Sequence, residues 1–280
     1  MVSGEFYLVT YTILSQAAVG LVVMLSVGSK ILGVNQENTD KYRLGLLTAT
    51  ILTVVAMLVS ASHLGSPVKA MNAMLNLGSS WLSREIVLNG LFFVSVGGAY
   101  LLARKGKNFA GAAAIASGVG IVCVLCQAAI YANTVIPAWG MGHSYITFIG
   151  ATCAMGAFLG VSFLLNGVEI FEHPQAKAYL AVALFLTFAG IVAQAGFYAF
   201  FAGQLAEAGT AGLASLHVLA SKTGTLLLMW VCLVIALLGL GKIAYKKEMS
   251  KLIYVLTALV MVGEIVNRTI FYGIGVAIGL

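Results

Sequence analysis

The sequence predicts an all-α integral membrane protein, a bundle of eight transmembrane helices with both termini on the outer (periplasmic) side. Three observations carry this. Only 9% of the 280 residues are charged and 61% are apolar, with a mean hydropathy of +1.02; a soluble domain carries about 25% charged residues. The apolar residues gather into runs near the ~20 residues that a helix needs to cross a bilayer. None of the runs alternates with a period of two, so helices, not a membrane barrel, are the way to satisfy the backbone in lipid.

The runs lie at about 6–29, 44–63, 85–103, 109–131, 144–166, 178–201, 222–241 and 252–276. The first reads as a retained span. It lacks the basic flank of a signal peptide, and its apolar stretch from Phe6 to Leu32 is too long for one. The third and fourth are rich in small residues (Gly97, Gly98, Gly111, Gly118, Gly120), which let membrane helices approach closely. The loops are short, with no internal repeat, so residues 1–280 read as a single transmembrane domain. Cys123, Cys126, Cys153 and Cys232 sit inside apolar runs and act there as small hydrophobes. Cys123 and Cys126 form a CxxC without the second pair that an iron–sulfur cluster needs. His63, His143 and His217 fall near outer loops and His173 near an inner one, so no pair stands at haem depth and no metal is expected.

Orientation follows from the basic residues. Of the 15 Lys and Arg, the loops after the first, third, fifth and seventh spans hold Lys30, Lys41 and Arg43, then Arg104, Lys105 and Lys107, then Lys177, then Lys242, Lys246, Lys247 and Lys251. The opposite side has only Lys69, Arg84, Lys222 and Arg268. The positive-inside rule puts the richer set in the cytoplasm. The formal charge of +6 is therefore expected from cytoplasmic loops, not from a nucleic-acid surface.

Residues 60–90 then lie at the outer face and concentrate the polar chemistry. His63 closes the second span, and Arg84 and Glu85 open the third. Ser66-Pro67 reads as a helix start and Gly78 as a stop, with Val68, Met71, Met74 and Leu75 at helical spacing between them. Such a helix can lie flat on the surface as a lid. Glu85 has two readings. One is a carboxylate favoured by the positive end of the helix dipole. The other is a proton acceptor paired with His63, on a polar stripe that Asn89 continues one turn on. A quinol that loses two electrons must lose two protons, and a His and a carboxylate on neighbouring helices can take them. In the last span Glu264 and Arg268 share a helical face, read either as a neutralising pair that locks the helix or as part of a proton path. Counting at 1.5 Å per residue places Glu264, Gln16, Gln127 and Gln194 in the outer half of the bilayer as well. Tyr131, Asn133, Pro137 and Trp139 leave the fourth span on that face, where Tyr and Trp are also ordinary interfacial anchors.

His63-Leu-Gly-Ser-Pro67, Leu82-Ser-Arg-Glu85-Ile and Gly263-Glu-Ile-Val-Asn-Arg268 followed by Phe271-Tyr-Gly273 together resemble the membrane anchor subunit of the dimethyl sulfoxide reductase (molybdopterin oxidoreductase) family. Gln16 and the Tyr131 to Trp139 segment are weaker echoes. The resemblance implies an anchor of the bacterial inner membrane that carries no cofactor itself. It implies menaquinol as bound substrate, oxidised near the outer leaflet. It also implies two partners in anaerobic respiration: a four-cluster iron–sulfur subunit and a catalytic subunit with molybdenum bis-molybdopterin. The family's functional His and Glu correspond to His63 and Glu85. Arg84, Asn89, Gln16, Tyr131, Glu264 and Arg268 are the supporting residues expected around the quinol. Arg84 departs from the uncharged polar residue of some members. The competing class is a polytopic secondary transporter, whose signs are internal repeats and helices broken at the midplane.

Overall fold

A computed structural model describes residues 3–36, 38–62, 76–140, 142–166, 174–246 and 251–276. Among these, nine α-helices and one short 3-10 turn account for the regular structure, with no strand. In chain order they are α1 (Ser3–Ile31), α2 (Thr39–Ser62), α3 (Trp81–Arg104), α4 (Ala110–Ala132), the turn Pro137–Trp139, α5 (His143–Leu164), α6 (Pro174–Glu207), α7 (Gly209–Ser221), α8 (Thr223–Lys246) and α9 (Leu252–Gly273). All but α7 are long and apolar enough to cross a membrane, giving eight candidate spans. Each covers one expected from the sequence.

Two helices sit at the centre. In α1 the most apolar window is 78% buried, and in α5 72%. Helix α1 packs on α2, α4, α5, α6 and α9. It reaches α5 through a crossing of glycines, since a Cβ on Gly20 would come within 2.7 Å of the Gly156 Cα. Gly150 and Gly190 bring α5 and α6 together in the same way, with 2.9 Å from a Gly190 Cβ to the Gly150 carbonyl oxygen. Small residues replace the hydrophobic drive that lipid removes, by allowing dense backbone packing. The glycines expected to do this in the third and fourth spans do not, apart from Gly120, which meets Phe92 and Val19. Gly97, Gly98, Gly111 and Gly118 face open space, because their helices approach each other through other faces.

Helix α6 departs furthest from expectation. Its 34 residues extend about 51 Å at 1.5 Å per residue, well past a ~30 Å hydrocarbon layer. The chain then reverses at Gly209, whose φ of +71° suits glycine alone among unstrained residues. The 13-residue α7 returns along α6 and against the Pro137–Trp139 turn. Gly212 lets this hairpin close, because a Cβ there would stand 2.7 Å from the Ala208 Cβ. Phe201 and Leu205 of α6, Met229 and Leu233 of α8, Ile270 and Ile274 of α9 and Ala138 of the turn form a second core beneath it.

Candidate functional site

Helix α3 starts four residues earlier than the sequence suggested. Ser80, in extended conformation, is its N-cap and accepts from the Ser83 backbone N–H at 3.3 Å. Glu85 therefore lies one turn inside the helix, 7% exposed, and the capping reading of its carboxylate does not hold. What faces it is Tyr11 of α1, whose hydroxyl donates to Glu85 Oε1 at 2.7 Å. The same phenol oxygen accepts from Asn89 Nδ2 at 2.6 Å and from Gln127 Nε2 at 3.0 Å. A phenol has one donor and two acceptor positions, so Tyr11 is saturated. Gln127 also donates to Ser15 Oγ at 2.8 Å, and Asn89 to the Glu85 carbonyl at 3.0 Å. A carboxylate in lipid is costly unless its partners are fixed. Here Tyr11, itself held by Asn89 of α3 and Gln127 of α4, fixes one of its oxygens, and no hydrogen bond from a described residue reaches Glu85 Oε2.

Arg268 anchors a second network. It is 1% exposed, donates from Nη2 to Gln16 Oε1 at 2.7 Å, and stacks with its guanidinium carbon 3.6 Å from the centre of the Phe148 ring. Its Nε and Nη1, together with Gln16 Nε2, are buried without a hydrogen-bond partner among the described residues. Arg268 and Glu264 do not pair, contrary to the sequence expectation. Glu264 turns toward α6 and accepts from Gln194 Nε2 at 3.2 Å and from Asn267 Nδ2 at 3.0 Å, while Arg268 turns toward α1. Asn267 also donates to Gln194 Oε1 at 2.5 Å and accepts from the Tyr198 hydroxyl at 3.2 Å.

Tyr131 is packed into an aromatic group with Trp139, Phe148, Phe271 and Tyr272, and accepts at its oxygen from the Tyr272 hydroxyl at 3.0 Å. Trp139 Nε1 donates to the Phe271 carbonyl at 2.8 Å, pinning the 3-10 turn onto the end of α9. His143 belongs to this end too but is fully buried, with Nδ1 2.9 Å from the Ala138 carbonyl oxygen and its ring stacked on Phe197.

Arg84 stands apart. Its Nε and Nη2 donate to the carbonyls of Leu77 and Gly78 at 2.8 and 2.7 Å, and its guanidinium carbon lies 4.4 Å from the Trp81 ring centre. It braces the segment before α3 and makes no bond to Glu85. His63 and the expected lid through Val68, Met71, Met74 and Leu75 lie outside the described residues. Cys126 donates weakly to the Trp81 carbonyl at 3.4 Å, a contact between α4 and α3. Among the described residues, no group of three or more His, Cys, Asp or Glu side chains gathers for a metal ion.

Tyr11, Ser15 and Asn267 escaped the sequence reading. Tyr11 and Ser15 are four apart and Gln16 follows, so a polar stripe ran along one side of the first span. That signal was available, but a Tyr near a span end also reads as an interfacial anchor. Counting 1.5 Å per residue from the helix ends, Glu85, Gln127 and Arg268 all lie about 6–8 Å inside the same end of the bundle. One turn deeper, Gly20, Val124, Ile149, Thr152 and Cys153 line an almost wholly apolar crevice of about 220 Å³. The same half of the bundle thus holds a carboxylate acceptor, a set of buried donors and, deeper, a separate apolar recess, on helices that pack against α1.

The profile of the DMSO reductase anchor subunit family (DmsC) matches residues 1–274. Over 293 residues the protein is 26% identical to the YnfH subunit of an anaerobic dimethyl sulfoxide reductase of Escherichia coli (strain K12), an alignment of 99% of this sequence and 96% of the relative. It is 25% identical over 288 residues to the C subunit of anaerobic dimethyl sulfoxide reductase from the same strain, with 99% and 96% aligned. The C subunit of the Haemophilus influenzae enzyme is 23% identical over 288 residues, again with 99% and 96% aligned. With eight apolar helices and a match over nearly its whole length, the protein belongs to the DMSO reductase anchor subunit family and is a multi-pass protein of the bacterial inner membrane.

Proposed function

We propose that this anchor binds menaquinol near the outer leaflet, oxidises it and passes its electrons to an iron–sulfur partner, which relays them to a molybdopterin catalytic subunit. The observation that carries the reading is Glu85, a buried carboxylate with one oxygen fixed by Tyr11 and the other free of bonds among the described residues. One quinol hydroxyl donates to Glu85 Oε2 and gives up its proton there. His63, which follows α2 in the sequence, takes the second proton. The quinol becomes quinone as two protons and two electrons leave, the electrons to the iron–sulfur partner and the protons outward. The crevice beside Gly20 and Ile149 accommodates the prenyl tail. The positive-inside charge distribution supports both termini outside, and electrons and protons leaving on the same side make turnover nearly electroneutral. Glu264 supports the site from the α6 side through Gln194 and Asn267. The family assignment does not favour a secondary transporter.

Purification of the tagged protein in mild detergent tests the reading. Iron, molybdenum and menaquinone are expected to come with it, and His63→Ala is expected to lower quinol-dependent reduction at least tenfold without loss of either metal. A protein that comes alone, or a His63→Ala complex with unchanged quinol kinetics, contradicts it.

A further inference from the structure

The Arg268 network is chemically opposite to the Glu85 network. Glu85 offers an acceptor. Arg268 Nε, Arg268 Nη1 and Gln16 Nε2 are three donors, all buried and, among the described residues, all without a partner. Arg268 is a fully buried cation whose helix neighbour Glu264 is engaged elsewhere. A guanidinium has no acceptor to offer, and its one bonded edge is already used by Gln16 Oε1. The Phe148 ring covers its face at 3.6 Å, so a ligand oxygen meets the guanidinium at its edge. Ser15 and Gln16 are consecutive on α1, so the donor set adjoins the Tyr11–Glu85 network through a single helix.

We infer that Arg268 and Gln16 form a donor-only subsite for a ligand oxygen that carries no proton, so that the site binds quinone more tightly than quinol. This rests on the quinol reading above and adds a discrimination between redox states to it. A quinone carbonyl oxygen accepts from Arg268 and Gln16 and satisfies donors that are otherwise buried unpaired. A quinol hydroxyl at the same place accepts from fewer of these donors, because one position on its oxygen carries the hydrogen, which must turn away from the cation, so it gains less. A hydrogen bond to a charged group contributes about 1.5–3 kcal/mol, so the preference is on the order of tenfold or more. Tighter binding of the oxidised form lowers the reduction potential of the bound couple, by about 30 mV for each tenfold in a two-electron reaction. The bound quinol is thereby a stronger reductant toward the iron–sulfur partner than the free quinol.

The test uses the intact membrane complex with a short-chain naphthoquinol as donor and its own quinone as product inhibitor. The readout is the ratio of the quinone inhibition constant to the quinol KM. In Gln16→Met and Arg268→Lys the ratio is expected to rise about tenfold, with quinone inhibition weakened much more than quinol use. A ratio unchanged from wild type in Gln16→Met overturns the inference and leaves the quinol reading standing. Gln16→Met removes the Gln16 donor while the Arg268 guanidinium stays in the chain, still covered by the Phe148 ring, so it decides the question even where the Arg268 variant fails to assemble. A wild-type complex that oxidises no quinol overturns the inference together with the reading beneath it.

Discussion

Tyr11 is the residue on which the first network turns. Its hydroxyl gives its one proton to Glu85 and receives both Asn89 and Gln127. Tyr11→Phe leaves Glu85 Oε1 buried without its donor and takes one of two bonds from each of Asn89 and Gln127, a cost of about 1–3 kcal/mol. The expected outcome is a lower thermal midpoint in nanodiscs and a quinol kcat/KM reduced about tenfold or more. An unchanged kcat/KM counts against Tyr11 as the residue that positions Glu85. Arg84→Ala is expected to leave quinol kcat/KM within about threefold, because its bonds go to the Leu77 and Gly78 carbonyls and bonds of this kind contribute little at a partly exposed site. Glu85 and Asn89 were legible because a charge and an amide one turn apart stand out in an apolar run. Arg84 misled by adjacency, since successive helix residues do not face the same way. Arg268 and Glu264 were legible as buried polar residues but not as belonging to separate networks, because spacing along one helix does not say which neighbours it meets.

At the scale of the elements, hydropathy delivered all eight spans, with ends displaced by up to six residues. It could not show that α6 continues past the bilayer, because apolar and small residues run on from Phe197 to Leu205 into the hairpin with α7. Nor could composition tell which glycines are contact points. A Gly-rich helix and a helix crossing differ only in which face meets a neighbour. The difference is testable. Gly20→Leu forces a side chain into the Gly156 backbone, and overpacking of this kind costs about 1–3 kcal/mol or more. It is expected to lower yield and thermal stability sharply, whereas Gly97→Ala, with open space around it, is expected to change neither. Equal tolerance of both in a thermal-shift assay removes the α1–α5 crossing from the account.

For the molecule as a whole, the proposal depends on which side the site faces. The helix order puts Thr134 at the site's end and Lys107 at the other, both exposed. In intact spheroplasts a membrane-impermeant maleimide is expected to label Thr134→Cys, and to label Lys107→Cys only after lysis, measured against the unsubstituted protein. The reverse pattern places the site in the cytoplasmic half and cancels the outward release of protons. The central claim is that Glu85 accepts a proton from quinol. Removing a positioned general base costs roughly 10²–10⁴ in rate. The most direct measurement compares two activities of one Glu85→Gln complex: quinol-driven reduction, and reduction driven by an artificial donor that feeds the iron–sulfur partner directly. Glu85→Gln keeps the shape and the Tyr11 contact. Quinol-driven turnover is expected to fall by about a hundredfold or more, with the artificial-donor rate unchanged. Wild-type quinol kinetics in Glu85→Gln would contradict that claim.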